Sequence, residues 1–300
     1  MVTMSSGAPH SQPRGVDQRN NHDQLPKRHN VATTLNYWKD PGDGAEPSPI
    51  VVGGGDAANR APTVAYDVIV RDITGDEDKY TLDTHGFQFL HHPFNARNIE
   101  SFSKPKLVKN AYYPDIQHLL MRLTGASRVF VFDHKARRGA SHWQALGVTN
   151  LANRGPVTRV HVDQSYAGAE MMLRWYLPSE ADELLKKRFQ IINVWRPITP
   201  ILKSPLAVAD ASSIPQSDLV AARSVYQNHE GESWTLRPSP KHRWYFKYKL
   251  TPDEVLLIKC FDSDTSVGMT RRTPHSAFED PAEADKEERQ SVEARCFVFH

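Results

Sequence analysis

One short stretch of the chain alternates apolar and polar side chains as a strand does: Val157-Thr158-Arg159-Val160-His161-Val162-Asp163-Gln164-Ser165. Successive strand side chains point to opposite faces, so Val160 and Val162 share one face while His161 and Asp163 share the other. An imidazole and a carboxylate therefore project side by side from an apolar wall. They are two of the three ligands in the two-histidine, one-carboxylate face that binds non-heme Fe(II) and leaves coordination positions open.

A third ligand and a binding pocket have candidates further along the chain. A single His-x-Asp pair indicates little, since about one is expected by chance in a chain with 14 histidines. His275 ends an extended run before an acidic, proline-containing turn, which makes it the candidate third ligand. The last predicted strand follows, and alternation places Arg289, Ser291, Glu293 and Arg295 on one of its faces.

These motifs, taken in order, resemble those of the Fe(II)/2-oxoglutarate-dependent oxygenases, whose iron lies in a double-stranded β-helix. More narrowly, they are similar to the fungal hydroxylase/desaturase family, which includes gibberellin desaturase and the small component associated with cephem 7α-methoxylation. The similarity extends from about Tyr66 to the end of the chain. Five segments carry it: His161–Ser165, Asn193–Pro197, Pro205–Asp210, Pro252–Leu256 and Pro274–Pro281.

The resemblance implies an iron site and a set of cofactors. His161, Asp163 and His275 are the implied Fe(II) ligands and the catalytic centre, and the implied cofactors are Fe(II), 2-oxoglutarate and O2. The far carboxylate of 2-oxoglutarate needs a charged, planar partner, because a guanidinium can bind a carboxylate through two hydrogen bonds. Arg289 with Ser291 has the family-like Arg-x-Ser form, and Arg295 on the same face is the alternative.

A predicted strand from 189 to 195 supplies further candidate binding residues. Asn193 and Trp195 fall on one of its faces and are expected to point into the cavity together. Arg196, beside them, either anchors an anionic ligand or pairs with an acid at the strand end, and the sequence favours neither.

Other polar residues have simpler interpretations. His91 and His92 are neighbours on a predicted strand, so they face opposite ways and cannot bind one metal together. His118 lies between the apolar positions of a packing helix. Arg137 and Arg138 follow a predicted strand as a basic pair, which is usually solvated.

The segments 66–70 and 79–82 flank a turn-rich loop and predict a hairpin.

Composition limits the class of protein. The net charge of +2 argues against nucleic acid as the main partner, and two cysteines are too few for a disulfide framework, which favours a cytoplasmic setting. No stretch reaches the roughly 18 apolar residues of a membrane span. We expect a disordered arm over residues 1–30, rich in polar residues, and a single domain over residues 31–300.

The sequence therefore predicts a mainly β protein with flanking helices and a double-stranded β-helix core of the jelly-roll or cupin-like kind. The leading hypothesis is an Fe(II)/2-oxoglutarate-dependent oxygenase that hydroxylates, desaturates or otherwise oxidises an unactivated C–H bond of a small secondary metabolite. Two alternatives stay open: a cupin-like metal dioxygenase without 2-oxoglutarate, and a non-catalytic jelly-roll protein that binds a ligand. Assembly into a homo-oligomer is also left open.

Overall fold

Two β-sheets form the framework of the protein. The computed structural model describes residues 1–3, 28–51, 62–94, 102, 104–139, 154–266 and 268–300. The strands within these residues are β1 (Val31–Trp38), β2 (Ile50–Val51), β3 (Thr63–Asp72), β4 (Phe87–His91), β5 (Arg128–Arg137), β6 (His161–Val162), β7 (Phe189–Pro197), β8 (Leu206–Ala209), β9 (Leu219–Val225), β10 (Glu230–Leu236), β11 (Trp244–Phe246), β12 (Glu254–Asp262), β13 (His275–Ala277) and β14 (Ser291–Phe299).

The large sheet has the order β1-β3-β11-β8-β13-β6-β10-β9-β2, and the small sheet has the order β4-β12-β7-β14-β5. Every pairing in the small sheet is antiparallel, whereas the large sheet includes two parallel pairings, β3 with β11 and β2 with β9. Sequence neighbours rarely pair, so the chain crosses repeatedly between the two sheets. The predicted mainly β, jelly-roll core is confirmed.

Apolar side chains from the facing sheets form the central core. Phe189 and Ile191 on β7 and Phe297 on β14 meet Val162 and Val208 of the large sheet, and all five are at most 2% exposed. Burial of this kind is the main favourable term in folding, at roughly 25 cal/mol per Å² of apolar surface. The core fills one end of the space between the sheets and leaves the other end to polar residues.

Helices cover the remaining faces. A helical segment runs through α1 (Pro105–Leu107), a π-helical turn (Val108–Tyr112) and α2 (Tyr113–Thr124), and helices α3 (Tyr166–Tyr176) and α4 (Ala181–Leu184) follow β6. Helix α2 packs its apolar side chains on the outer face of the small sheet. Strand β7 is consequently buried on both faces along its whole length.

The predicted hairpin is wrong, because other strands take the hydrogen bonds of β3. Strand β3 pairs along its length with β1 in an antiparallel register from Val31–Val70 to Trp38–Thr63, while residues 79–82 contain no strand. Just before β1, the Asp72 carboxylate accepts from the His29 backbone N–H at 3.0 Å, and the Asn30 side chain accepts from the Asp72 N–H at 2.9 Å. Most of the predicted arm, residues 4–27, lies outside the described residues.

A glycine allows α3 to lie directly on β10. A Cβ atom built on Gly168 would overlap the backbone carbonyl of Glu232, which cannot move without disturbing the sheet. The Ser165 side chain caps the same helix by accepting from the Gly168 N–H at 2.9 Å. Close packing therefore fixes the helix that follows the His-x-Asp strand.

Gly168→Ala should destabilise the protein by about 1–3 kcal/mol, because the added methyl group overpacks the contact between α3 and β10. Helix propensity alone predicts the opposite sign, since alanine favours a helix by about 1 kcal/mol over glycine. Urea unfolding measures the difference, and Ala167→Gly, at the exposed neighbouring position, is the control. A more stable Gly168→Ala variant would contradict this packing.

Candidate metal centre

Two histidines lie opposite each other on neighbouring strands of the large sheet. His161 on β6 and His275 on β13 are direct partners in the antiparallel register, and their ring centroids are 4.5 Å apart. Paired residues on adjacent antiparallel strands project from the same face of a sheet. The two imidazoles, separated by 114 positions in the sequence, are thus brought together by backbone hydrogen bonding.

Backbone carbonyls fix the orientation of both imidazoles. Nδ1 of His161 is 2.7 Å from the Arg159 carbonyl oxygen, and Nδ1 of His275 is 3.1 Å from the Thr273 carbonyl oxygen. A carbonyl can only accept, so each Nδ1 carries a proton, and in the neutral imidazole Nε2 is then the nitrogen with the lone pair. A hydrogen bond of this kind at the other ring nitrogen is typical of metal-binding histidines.

Asp163 directs one carboxylate oxygen to the histidines and the other to the small sheet. Its Oδ1 is 3.3 Å from Nε2 of His161 and 3.8 Å from Nε2 of His275. Its Oδ2 accepts from Nδ2 of Asn193 at 2.8 Å and lies 3.0 Å from Nη2 of Arg295. The carboxylate is therefore held in one orientation with a single oxygen free for a metal ion.

The three ligand atoms fit a divalent metal ion. They lie within 4.8 Å of one another. First-row divalent ions bind such ligands at about 2.1 Å, so two ligands at right angles on one ion are about 3 Å apart. The observed separations from Oδ1, 3.3 and 3.8 Å, need to close only slightly to meet that geometry.

The protonation states suit metal binding as well. Burial lowers the pKa of His275 to about 4, so its imidazole is neutral near pH 7. Burial acts to raise the pKa of the Asp163 carboxyl, but interactions led by the charge of Arg295 outweigh it and hold that pKa well below its usual value. One carboxylate and two imidazoles are the set of ligands that non-heme Fe(II) uses.

The cavity beside the ligands carries an excess of positive charge. Arg289 is buried, donates from Nη1 to the Ser204 carbonyl at 2.9 Å, and lies over the Trp195 ring at 5.4 Å. Its Nε and the Ser291 hydroxyl are buried without a hydrogen-bond partner among the described residues. Burial, followed by the charge of Arg137, lowers the pKa of Arg289 to about 9. Buried donors of this kind are suited to an anionic ligand. The described residues lining the cavity are Arg137, Val157, His161, Asp163, Trp195, Leu206, His275, Arg289, Glu293 and Arg295.

The structure separates the other predicted binding residues into three groups. Trp195 lines the cavity beside Arg289, as alternation along β7 predicted. Asn193 and Arg295 contact Asp163 and so support the metal ligand. Arg196 lies on the opposite face of β7 and donates to the His92 and Pro252 carbonyls, each at 2.7 Å. The structure thus corrects the suggested cofactor role of Arg196, because its guanidinium points away from the cavity.

The three other histidines considered in the sequence, His91, His92 and His118, lie outside the centre, and one basic residue lies unexpectedly within it. His91 and His118 are exposed, and Nε2 of His92 is 2.9 Å from the Asp115 carboxylate. Arg137 lines the cavity, so the prediction that it is solvated is wrong. The prediction failed because Arg137 and Arg138 form a basic pair after the strand predicted from the sequence, and such pairs are usually solvated.

Comparison with known proteins agrees with this geometry. A family profile described as oxidoreductase/YMDC permease-like domain matches residues 35–299. The chain is 34% identical to the hydroxylase/desaturase efuI of Hormonema carpetanum over 294 residues, covering 90% of this chain and 95% of that protein. It is 31% identical to the alpha-ketoglutarate-dependent dioxygenase tstK of Talaromyces stipitatus, covering 78% of this chain and 84% of that protein. The solved structure of the iron and alpha-ketoglutarate-dependent endoperoxidase NvfI superposes with a TM-score of 0.78 at 26% identity, covering 91% of this chain and 98% of that one.

The fold, the three-ligand site and these similarities define an iron-dependent oxygenase. The chain belongs to the fungal hydroxylase/desaturase family of Fe(II)/2-oxoglutarate-dependent oxygenases, whose members act in secondary metabolism. Its cofactors are Fe(II), 2-oxoglutarate and O2. No helix in the described part of the chain is long and apolar enough to cross a membrane.

Asn193→Ala should weaken Fe(II) binding by roughly 10- to 100-fold, the usual cost of losing a residue that orients a metal ligand. The reason is that Oδ2 of Asp163 would lose one of its two fixed partners. Anaerobic Fe(II) titration measures the change. Gln190→Ala is the matched control, because Gln190 lies on the same strand and donates instead to Asp262 at 2.8 Å. Equal affinities for the two variants would show that Asn193 does not position Asp163.

Proposed function

We propose that His161, Asp163 and His275 hold Fe(II), and that Arg289 and Ser291 bind the far carboxylate of 2-oxoglutarate. The enzyme then oxidises an unactivated C–H bond of a small secondary metabolite by hydroxylation, desaturation or a related reaction. One observation carries this proposal: three metal-ligand residues line the same cavity as a buried arginine, whose Nε has no hydrogen-bond partner among the described residues.

The bound metal and 2-oxoglutarate supply an oxidant from O2 that can remove hydrogen from carbon, with succinate and carbon dioxide as coproducts. The side chains of the protein position these components. Nε2 of each histidine and Oδ1 of Asp163 face a common point, and the Nδ1 hydrogen bonds prevent either ring from turning away. Trp195 and Leu206 contribute apolar surface to the cavity and limit the entry of water.

Arg295 keeps the metal ligand charged. Its Nη2 lies 3.0 Å from Oδ2 of Asp163, and its Nε donates to Oε1 of Glu293 at 2.8 Å. Both carboxylates of the cavity thus share this one guanidinium. Arg289 has no carboxylate partner among the described residues, which favours it over Arg295 as the arginine for 2-oxoglutarate.

The relatives support an oxidation of this class without fixing the substrate. Their names describe hydroxylases or desaturases, dioxygenases and an endoperoxidase, which is a range of products from related chemistry. The two alternatives from the sequence differ in what they require: a cupin-like dioxygenase needs no 2-oxoglutarate, and a binding protein shows no turnover. A cytoplasmic location, a homo-oligomer and a single domain over residues 31–300 stay predictions.

Asp163→Ala should abolish tight Fe(II) binding, because the site would lose its only anionic ligand. Arg289→Gln should behave differently: Fe(II) should bind as in the wild type, while 2-oxoglutarate should bind roughly 10- to 100-fold more weakly through loss of a charge-assisted hydrogen bond. Anaerobic titration measures both, with the metal-to-ligand absorbance band reporting the 2-oxoglutarate complex.

His118→Ala is the control for the metal, because His118 is exposed and away from the cavity. Full Fe(II) affinity in Asp163→Ala would refute the ligand assignment. Full 2-oxoglutarate affinity in Arg289→Gln would transfer the anion-binding role to another arginine. Oxygen consumption on a metabolite without any need for 2-oxoglutarate would favour the cupin-like alternative.

A further inference from the structure

A β-bulge turns Arg137 into the cavity. Val131 and Asp133 of β5 pair with Cys296 and Arg295, which are consecutive residues of β14. Phe132, between them, is therefore the extra residue of a bulge. A bulge of this kind shifts the alternation of side chains by one position. Without it, Arg137 would share the outer face with Val131, which packs under α2. With it, Arg137 lies opposite Ser291 and faces the metal centre.

Arg137 and Arg289 approach the same space from two strands. Arg289 precedes β14 and lies two residues from Ser291, whose register partner on β5 is Arg137. Both guanidinium groups line the cavity that contains His161, Asp163 and His275. Register and sequence spacing therefore place both positive residues near Ser291, whose hydroxyl is buried and unpartnered among the described residues.

The described residues that line the cavity carry more positive than negative charge, since they include three arginines and two carboxylates. Arg137 donates from Nη1 to the Gly155 carbonyl at 3.0 Å, and Arg289 donates to the Ser204 carbonyl, so each has a neutral acceptor. The carboxylates that line the cavity, Asp163 and Glu293, are both in contact with Arg295. Like charges that share a partly enclosed site disfavour each other, and a bound anion relieves that repulsion. This end of the cavity is therefore suited to an anionic ligand.

We infer that Arg137 acts with Arg289 and Ser291 as a second arginine for the far carboxylate of 2-oxoglutarate. This inference rests on the proposed function and adds a positioning residue to it. The two guanidinium groups can each donate to a carboxylate, and the serine hydroxyl can donate a third hydrogen bond. The site selects a 2-oxo acid that carries a second carboxylate, and it takes no part in bond making or breaking.

Arg137→Gln should weaken 2-oxoglutarate binding to the anaerobic Fe(II) protein by roughly 10- to 100-fold, the range for loss of a hydrogen bond between charged groups. The same titration with 2-oxobutyrate, which has the 2-oxo acid end but no second carboxylate, should change by less than about threefold, since the lost partner is not used. Arg137→Lys should restore part of the affinity for 2-oxoglutarate, because it returns the charge without the fork geometry.

Arg128→Gln is the matched control. Arg128 is on the same strand, pairs with Glu180 at the surface, and should leave the affinity for both acids unchanged. Fe(II) affinity serves as the check on folding, and it should be the same in all variants.

Three results would overturn the inference. Unchanged 2-oxoglutarate affinity in Arg137→Gln, measured with no other metabolite present, would mean that Arg137 faces the carboxylate of another ligand or none. Equal losses for 2-oxoglutarate and 2-oxobutyrate would show a structural effect on the whole cavity, as would a parallel loss of Fe(II) binding. Failure of the wild-type protein to bind 2-oxoglutarate would instead refute the proposed function, so the two failures are distinguishable.

Discussion

The buried carboxylate of Asp163 is the constraint on which the rest of the site depends. It follows β6 of the large sheet, yet its fixed partners, Asn193 and Arg295, belong to the small sheet and are register partners across β7 and β14. A buried charge is costly unless it is paired and hydrogen-bonded. The two sheets must therefore meet at one separation and register for the carboxylate to be satisfied, and that same placement leaves Oδ1 facing the histidines.

This constraint divides the interior of the jelly roll into two ends. Along the inner face of β14, Phe297 and Phe299 belong to the apolar core, whereas Ser291, Glu293 and Arg295 lie at the polar end. The apolar end supplies the stability that a polar cavity reduces. The polar end is already charged and fixed before any ligand binds, so little reorganisation is needed when an anion and a metal ion enter.

Sequence patterns predicted the parts of the site that depend on simple alternation. His161, Asp163 and the inward row of β14 follow a period of two, and the structure places them as that period requires. The same alternation could also have excluded Arg196 from the cofactor site, because Arg196 directly follows Trp195 and so points to the opposite face of β7. Arg137 could not be predicted, because one bulged residue reverses the alternation on β5 and leaves no clear mark in the sequence. The incorrect hairpin prediction has a similar origin. Strand β3 pairs with β1, which is farther from it in the sequence than the predicted partner, residues 79–82.

The most direct test of the proposed metal ligands is a crystal structure of the protein with 2-oxoglutarate and Mn(II), an unreactive substitute for Fe(II). The crystals would be grown without oxygen, and anomalous scattering would locate the metal. We expect one strong peak about 2.1–2.3 Å from Nε2 of His161, Oδ1 of Asp163 and Nε2 of His275, with the 2-oxo acid end of the ligand on the metal. A peak elsewhere, or a metal held by other residues while these three stay uncoordinated, would contradict this expectation.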